Sequence, residues 1–285
     1  MNYDLCYNTS IKEDVEVKFK KKIRKTYKDS DKKSFAVYAF LRFLVIITLI
    51  RQIMLREWEN VFVCILSLVL LIAPFFFEKK FKITIPSTLE IIILCFIFSA
   101  EILGEINSFY VRIPHFDTLL HTINGFLCAG VGFSLVDLLN ENNKNINLSP
   151  LYLSLVAFCF SMTIGVLWEF FEYGADKLLG LDMQKDYIVD IINTVELDDT
   201  KTNKVIAIDS IDKTILYDIE GNVLTEINGY LDIGIIDTMK DLIVNFIGAI
   251  SFSIFGFLYI KNRGKYKFVD NFILTKKLKI IKEDN

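Results

Sequence analysis

The sequence predicts an all-α polytopic membrane protein, a bundle of about six transmembrane helices carrying a small extracytoplasmic α/β or β insert. Three observations predict it. Six apolar stretches of seventeen to twenty-six residues recur along a chain that is 53% hydrophobic and still 24% charged, a mixture suited to a membrane core with polar ends. Lysine and arginine fall on alternate sides of those stretches. One long polar segment, 176–234, reads as short strands rather than as another helix.

Taken in order, residues 1–33 form a basic cytoplasmic tail with the run Lys18-Phe19-Lys20-Lys21-Lys22-Ile23-Arg24-Lys25. Beside a membrane span such a run sets orientation and touches anionic lipid, so no nucleic-acid partner is expected. It precedes any apolar stretch, so a cleaved signal peptide is not expected and the first span serves as an anchor. Residues 34–175 hold transmembrane helices 1–5, at Ser34–Ile50, Asn60–Phe77, Thr88–Ile106, Phe116–Leu139 and Leu151–Ala175. Each meets the length needed to cross a hydrocarbon core of about 30 Å. Pro86 and Pro150 precede the third and fifth spans, where a helix start tolerates proline, and Pro74 predicts a kink near the end of the second.

The acidic extracytoplasmic insert 176–234 carries thirteen acidic and five basic residues. Its alternating runs Val205–Ile208 and Thr214–Tyr217, with the turn Glu220-Gly221-Asn222, predict a small hairpin or meander. Transmembrane helix 6 follows at 235–260, and 261–285 is a second basic tail. With the N-terminus inside, 22 lysines and arginines lie on the cytoplasmic side and 8 on the other. That bias predicts a multi-pass protein of the bacterial cytoplasmic membrane with both termini in the cytoplasm. Arg42, inside the first span, is expected to snorkel. The five cysteines have no metal-type spacing and predict no disulfide framework.

Ionisable residues at membrane depth are costly, and they mark sites or water-filled cavities. Asp117 and His121, Glu169 and Glu172, and Asp237 and Asp241 are spaced three or four apart, so each pair projects from one helix face. The predicted topology brings all six to one extracytoplasmic level, together with Glu101 and Glu105 of the third span. Asn124 extends the first stripe and Asn245 the last. Carboxylates plus imidazole suit a divalent metal such as Zn, Mn or Fe. The expected ligands are Asp117, His121, Glu169, Asp237 and Asp241, with Glu172 as catalytic general base and Asn124, Asn245, Glu101 and Glu105 as supporting polar groups. Without a metal, some of the acids would have to be protonated, or paired with Arg112 or Lys240. His115, after Pro114, is expected on the surface, and Trp168 and Tyr173 at the membrane interface.

Three motifs carry a family resemblance: Phe116-Asp117-Thr118-Leu119-Leu120-His121-Thr122-Ile123-Asn124-Gly125-Phe126, Trp168-Glu169-Phe170-Phe171-Glu172-Tyr173, and Asp237-Thr238-Met239-Lys240-Asp241-Leu242 with Gly248-Ala249. Together they resemble the YjdF-like family of bacterial inner-membrane proteins over roughly residues 35–260. A more distant resemblance, through Asp241, Asn245 and Gly248, is to VanZ-like membrane proteins and implies cell-envelope biology. Three functions stay open at this level. They are a metal-assisted enzyme on a lipid or cell-envelope precursor, a cation- or proton-coupled transporter, and a non-catalytic envelope factor.

Overall fold

The computed structural model describes residues 32–142, 147–262, 269 and 271–276. The basic run Lys18–Lys25, Cys6, Lys144 and most of the basic residues of 261–285 lie outside them. The first predicted span is α1 (Lys32–Leu55). The second divides into α2 (Trp58–Leu70) and α3 (Ala73–Phe81), with Pro74 in the first turn of α3. There its missing N–H costs nothing, whereas inside one continuous helix it would leave a carbonyl unpaired. β1 (Ile83–Thr84) and Pro86 lead into α4 (Ser87–Phe98), which continues as a π-helical segment, Ser99–Ile106. Short α5 (Phe109–Arg112) turns the chain into α6 (Phe116–Asn142). α7 (Pro150–Leu179) starts with the Ser149 hydroxyl accepting the Tyr152 N–H at 3.2 Å, and stops at Gly180, whose φ is 68°. α8 (Ile235–Lys261) completes the bundle.

Among the described residues, five helical segments are long and apolar enough to cross a membrane: Lys32–Leu55, Trp58–Phe81, Phe116–Asn140, Pro150–Leu179 and Ile235–Lys261. The expected third span falls outside that set because its regular α-helix is only twelve residues long before the π-helical turns begin. Counted together, residues 87–106 still reach a spanning length. Exposed apolar side chains such as Phe40, Phe43, Leu155, Leu167 and Ile254 line the outer faces of these helices, as a lipid environment requires.

The helices form two groups. α1, α2 and α4 pack around Val45, Cys64, Leu94 and Ile97. α6, α7 and α8 pack more extensively around Ala129, Phe133, Ala157 and Phe252. Small residues make the second group close. A Cβ on Gly125 of α6 would stand 2.1 Å from the Asn245 carbonyl oxygen of α8, and one on Gly248 of α8 would stand 2.0 Å from the Thr122 carbonyl oxygen of α6. The two backbones therefore touch reciprocally at glycines, as membrane helices without a hydrophobic driving force do. Ser161 of α7 ties in by donating to the Gly125 carbonyl at 2.7 Å.

The segment expected as a plain C-terminal tail returns into the bundle. Val269, Ile273 and Leu274 are buried, the Leu274 N–H donates to Ser134 Oγ at 3.0 Å, and the Phe272 ring meets Phe126 edge-on at 5.6 Å. β8 (Thr275–Lys276) then pairs antiparallel with β1. Non-helical backbone is tolerable at such depth only because protein surrounds it. The sequence hid this, because apolar runs as short as Phe272-Ile273-Leu274 in a basic segment carry no periodic signal.

The insert is built of two-stranded ribbons: β2 (Ile188–Val189) with β7 (Tyr230–Leu231), β3 (Ile192–Thr194) with β4 (Ile206–Ile208), and β5 (Thr214–Tyr217) with β6 (Val223–Ile227). The predicted turn forms, with Gly221 at φ 87° and the Asp218 carboxylate accepting the N–H groups of Glu220 and Asn222. It joins β5 to β6, while the 206–208 strand pairs backwards to β3. Only the β5–β6 pair is joined by a tight turn; β4 pairs with β3 across the longer connection 195–205 rather than with the nearer β5.

Candidate functional site

The alternating helices bring the end of the π-helical segment, the starts of α6 and α8, and the end of α7 to one end of the bundle. The insert lies at that same end. Between them is a cavity of about 350 Å³ lined by Glu105, Tyr110, Asp117, His121, Glu172, Asp237 and Asp241 from the helical part, and by Asp182, Met183, Lys185, Asp186 and Tyr187 from the start of the insert.

Helical spacing sets the inner geometry. Asp117 in the first turn of α6 lies one turn from His121, and its Oδ1 stands 3.4 Å from the imidazole Nε2. Asp241, one turn into α8, brings its Oδ2 to 3.6 Å from the same Nε2. Asp117, His121 and Asp241 each offer a ligand atom, all within 4.8 Å of one another. Asp117 is 31% exposed, His121 13% and Asp241 5%, so the group reaches from the cavity into the helix packing.

The other expected ligands stand apart from this trio. Asp237 faces the cavity, but its Oδ2 accepts the Lys185 backbone N–H at 2.8 Å, which binds the insert to α8. Glu169 is buried outside the cavity lining, with one carboxylate oxygen unpartnered in the described structure. Glu172 does line the cavity, and the Trp168 indole N–H holds its Oε1 at 2.7 Å. Trp168, expected at the membrane interface, is thus the side chain that fixes Glu172. Tyr173 is exposed with Lys177 over its ring, and His115 is exposed in the loop before α6.

Of the supporting residues, Asn124 Nδ2 donates to Asn245 Oδ1 at 3.2 Å, joining α6 to α8 below the trio. Glu105 lines the cavity, whereas Glu101 is buried in the π-helical segment with an unpartnered carboxylate oxygen. π-helical turns are rare and recur at functional sites. Here one turns Gly104 towards the Tyr110 ring, which leaves no room for a Cβ (2.4 Å).

The strap 181–187 was not legible in the sequence as part of the site. Asp176 accepts the N–H groups of Met183 (2.6 Å) and Gln184 (3.0 Å), Gln184 Nε2 donates to Thr238 Oγ1, and Asp232 accepts the Tyr187 N–H at 2.6 Å. Lys185 Nζ then reaches across to Glu105 Oε2 at 3.4 Å and donates to the Asp182 carbonyl. The cavity's ammonium group is therefore Lys185. Lys240, one of the two expected partners, instead places its Nζ 3.6 Å over the Tyr187 ring. At the rim, partial desolvation and the charges of Asp182 and Asp232 push the Asp186 carboxyl above its ordinary range.

Asp117, His121 and Asp241 could hold a divalent cation between them. Ligands about 2.0–2.2 Å from a tetrahedral ion stand roughly 3.4 Å from one another, whereas a charge-assisted N–H···O bond would draw the pair to about 2.7–2.9 Å. The separations of 3.4 and 3.6 Å about one Nε2 agree with the first geometry. Among the described residues, seven carboxylates and one lysine line the cavity, an imbalance that protonation or a cation would relieve.

Residues 36–262 match the family described as "Predicted membrane protein (DUF2238)". The chain belongs to this family. The matched region takes in α1 from residue 36 onward and every helix from α2 to α8, and thus the whole cavity. A relative from Thermotoga maritima, described as "Uncharacterized protein", is 27% identical over 127 residues, which is 42% of this chain and 62% of the relative. The match therefore spans less than two thirds of that relative's length. No solved structure matches the chain.

Proposed function

We propose that this membrane protein is a metal-assisted enzyme acting on a lipid or cell-envelope precursor. The observation that carries the proposal is the trio of donors from α6 and α8, Asp117, His121 and Asp241, spaced as ligands of one ion at the head of a cavity. A divalent ion held there (Zn, Mn or Fe) would polarise an ester or phosphoryl oxygen or a bound water. Glu172, aimed into the same cavity and oriented by Trp168, is the group to take a proton. Asp237 and Lys185 hold the strap that closes one side.

The charge bias of the loops supports placing the protein in the bacterial cytoplasmic membrane with both termini in the cytoplasm. The cavity then opens on the extracytoplasmic face, where envelope precursors are exposed. Metal analysis of the purified protein tests the proposal. The wild type is expected to carry about one equivalent of a transition metal. His121→Ala and Asp241→Asn are expected to lose most of it while eluting as folded protein. A wild type free of metal after purification without chelator, and unable to take up Zn, Mn or Fe on titration, would overturn it.

A further inference from the structure

A second cavity, of about 330 Å³, lies at the depth of the helices themselves. It is a groove between α4, α6 and α8, lined by Ile92, Ile123, Phe126, Leu127 and Gly248, with Phe272 of the returning C-terminal segment beside Phe126. On α6 it begins at Thr122, the residue after His121. On α8 it lies seven to ten residues past Asp241, about 10–15 Å further along the helix. The groove thus runs from the level of the donor trio toward the middle of the bundle.

Its chemistry is one-sided. The two hydroxyls in its lining are already satisfied by their own helices: Thr122 Oγ1 donates to the Thr118 carbonyl at 2.7 Å, and Ser251 Oγ to the Ile247 carbonyl at 2.8 Å. Among the described residues, no charged side chain lines it. A polar occupant would find only two hydroxyl oxygens left to accept from it and would lose most of its hydration. An acyl chain loses nothing. On α8 the groove residues Gly248 and Ser251 are neighbours of the exposed Ile247, Ile250 and Ile254, side chains that a membrane protein presents to lipid, so acyl chains are also the medium from which it fills.

We infer that the groove holds the acyl chain of an amphiphilic substrate whose polar head occupies the cavity above. The inference rests on the metal-site reading only for what happens to the head. The chain site stands on the groove alone. A lipid entering sideways between α4 and α6 would bring its head to Asp117, His121 and Asp241 with the tail already anchored, so tail binding would position the head.

Photolabelling in phosphatidylcholine nanodiscs doped with phosphatidylglycerol bearing a diazirine on its acyl chain tests this, with labelled peptides mapped by mass spectrometry. Labelling is expected to concentrate several-fold on Ile92, Ile123, Phe126 and Leu127 over the lipid-facing Phe43 and Ile254. Ile92→Trp, which fills the groove, is expected to abolish that excess and leave the metal content at the wild-type level. His121→Ala is expected to lose metal and keep the labelling. If Ile92→Trp does not yield folded protein, Ile123→Trp takes its place. Labelling spread evenly over all lipid-facing residues, which marks surrounding bilayer lipid only, overturns the inference. So does a labelling excess that survives the tryptophan. Loss of metal-site behaviour with the labelling pattern intact would remove the enzyme reading and leave the chain site standing.

Discussion

Single side chains do unusual work where backbones meet. Gly248 and Gly125 stand where a Cβ would strike a carbonyl oxygen at 2.0–2.1 Å, and neither main chain can yield without parting α6 from α8. Gly248→Val should therefore cost at least the 1–3 kcal/mol typical of overpacking, read as a lower unfolding temperature in detergent. Gly174, on α7, has nothing within 4 Å of its would-be Cβ. Gly174→Ala should leave stability unchanged or raise it by up to about 1 kcal/mol, through helix propensity. In the insert, the Thr200 hydroxyl and the N–H groups of Thr200, Thr202 and Lys204 surround the Asp198 carboxylate and hold it at about 2, below its ordinary 3.8. Since the folded value is the depressed one, the stabilisation is complete above about pH 4 and is lost as pH falls towards 2. Hydrogen exchange at the Thr202 and Lys204 amides should be slow at pH 5 and, after correction for intrinsic rates, lose its protection near pH 2. In Asp198→Asn that protection should be reduced at both values.

At the scale of elements, α7 delivers Glu172 and the residue that aims it, one turn apart. Trp168→Phe should remove one hydrogen bond, worth about 1 kcal/mol, and should leave metal content intact, because neither residue is in the donor trio. A variant losing metal in proportion to its stability would show instead that α7 helps build the metal site. The helices were legible in the sequence because long apolar runs with capping prolines leave few alternatives, and the i, i+4 pairs marked their polar faces. Less legible was the division of labour within those pairs. Asp237 and Asp241 look equivalent by spacing, yet one meets a backbone N–H of the strap and the other meets His121. Which of the two happens depends on what packs opposite, and α-helical periodicity has no information about that.

Over the whole molecule, the returning C-terminal segment joins the two helix groups. Its Leu274 lies in a cluster with Ile83, Leu89 and Leu127, and Val269 and Ile273 complete the core of α6 to α8. Cutting the chain after Asn262 removes these three buried side chains, at about 1.5–3 kcal/mol each for full burial. The truncated protein is expected to unfold at clearly lower temperature or to aggregate on extraction, as size-exclusion chromatography and thermal scans in detergent would show. Unchanged stability would mean that the segment lies against the bundle without supporting it.

Local rules along the chain were enough for the membrane class, the helical character of the apolar segments, the strand character of the insert, and the polar positions from which a site could be made. Those rules are the length a bilayer requires, the 3.6-residue repeat, and the cost of charge in hydrocarbon. Packing in three dimensions sets the rest: Asp117 and Asp241 meet at one imidazole nitrogen of His121, Asp237 and Lys185 fasten a strap from the insert, and Phe272 meets Phe126 inside the bundle. Each of these joins residues from separate elements across distances that depend on helix crossing. Two glycines without a Cβ set that crossing for α6 and α8, as contacts between backbones rather than as a pattern along either one.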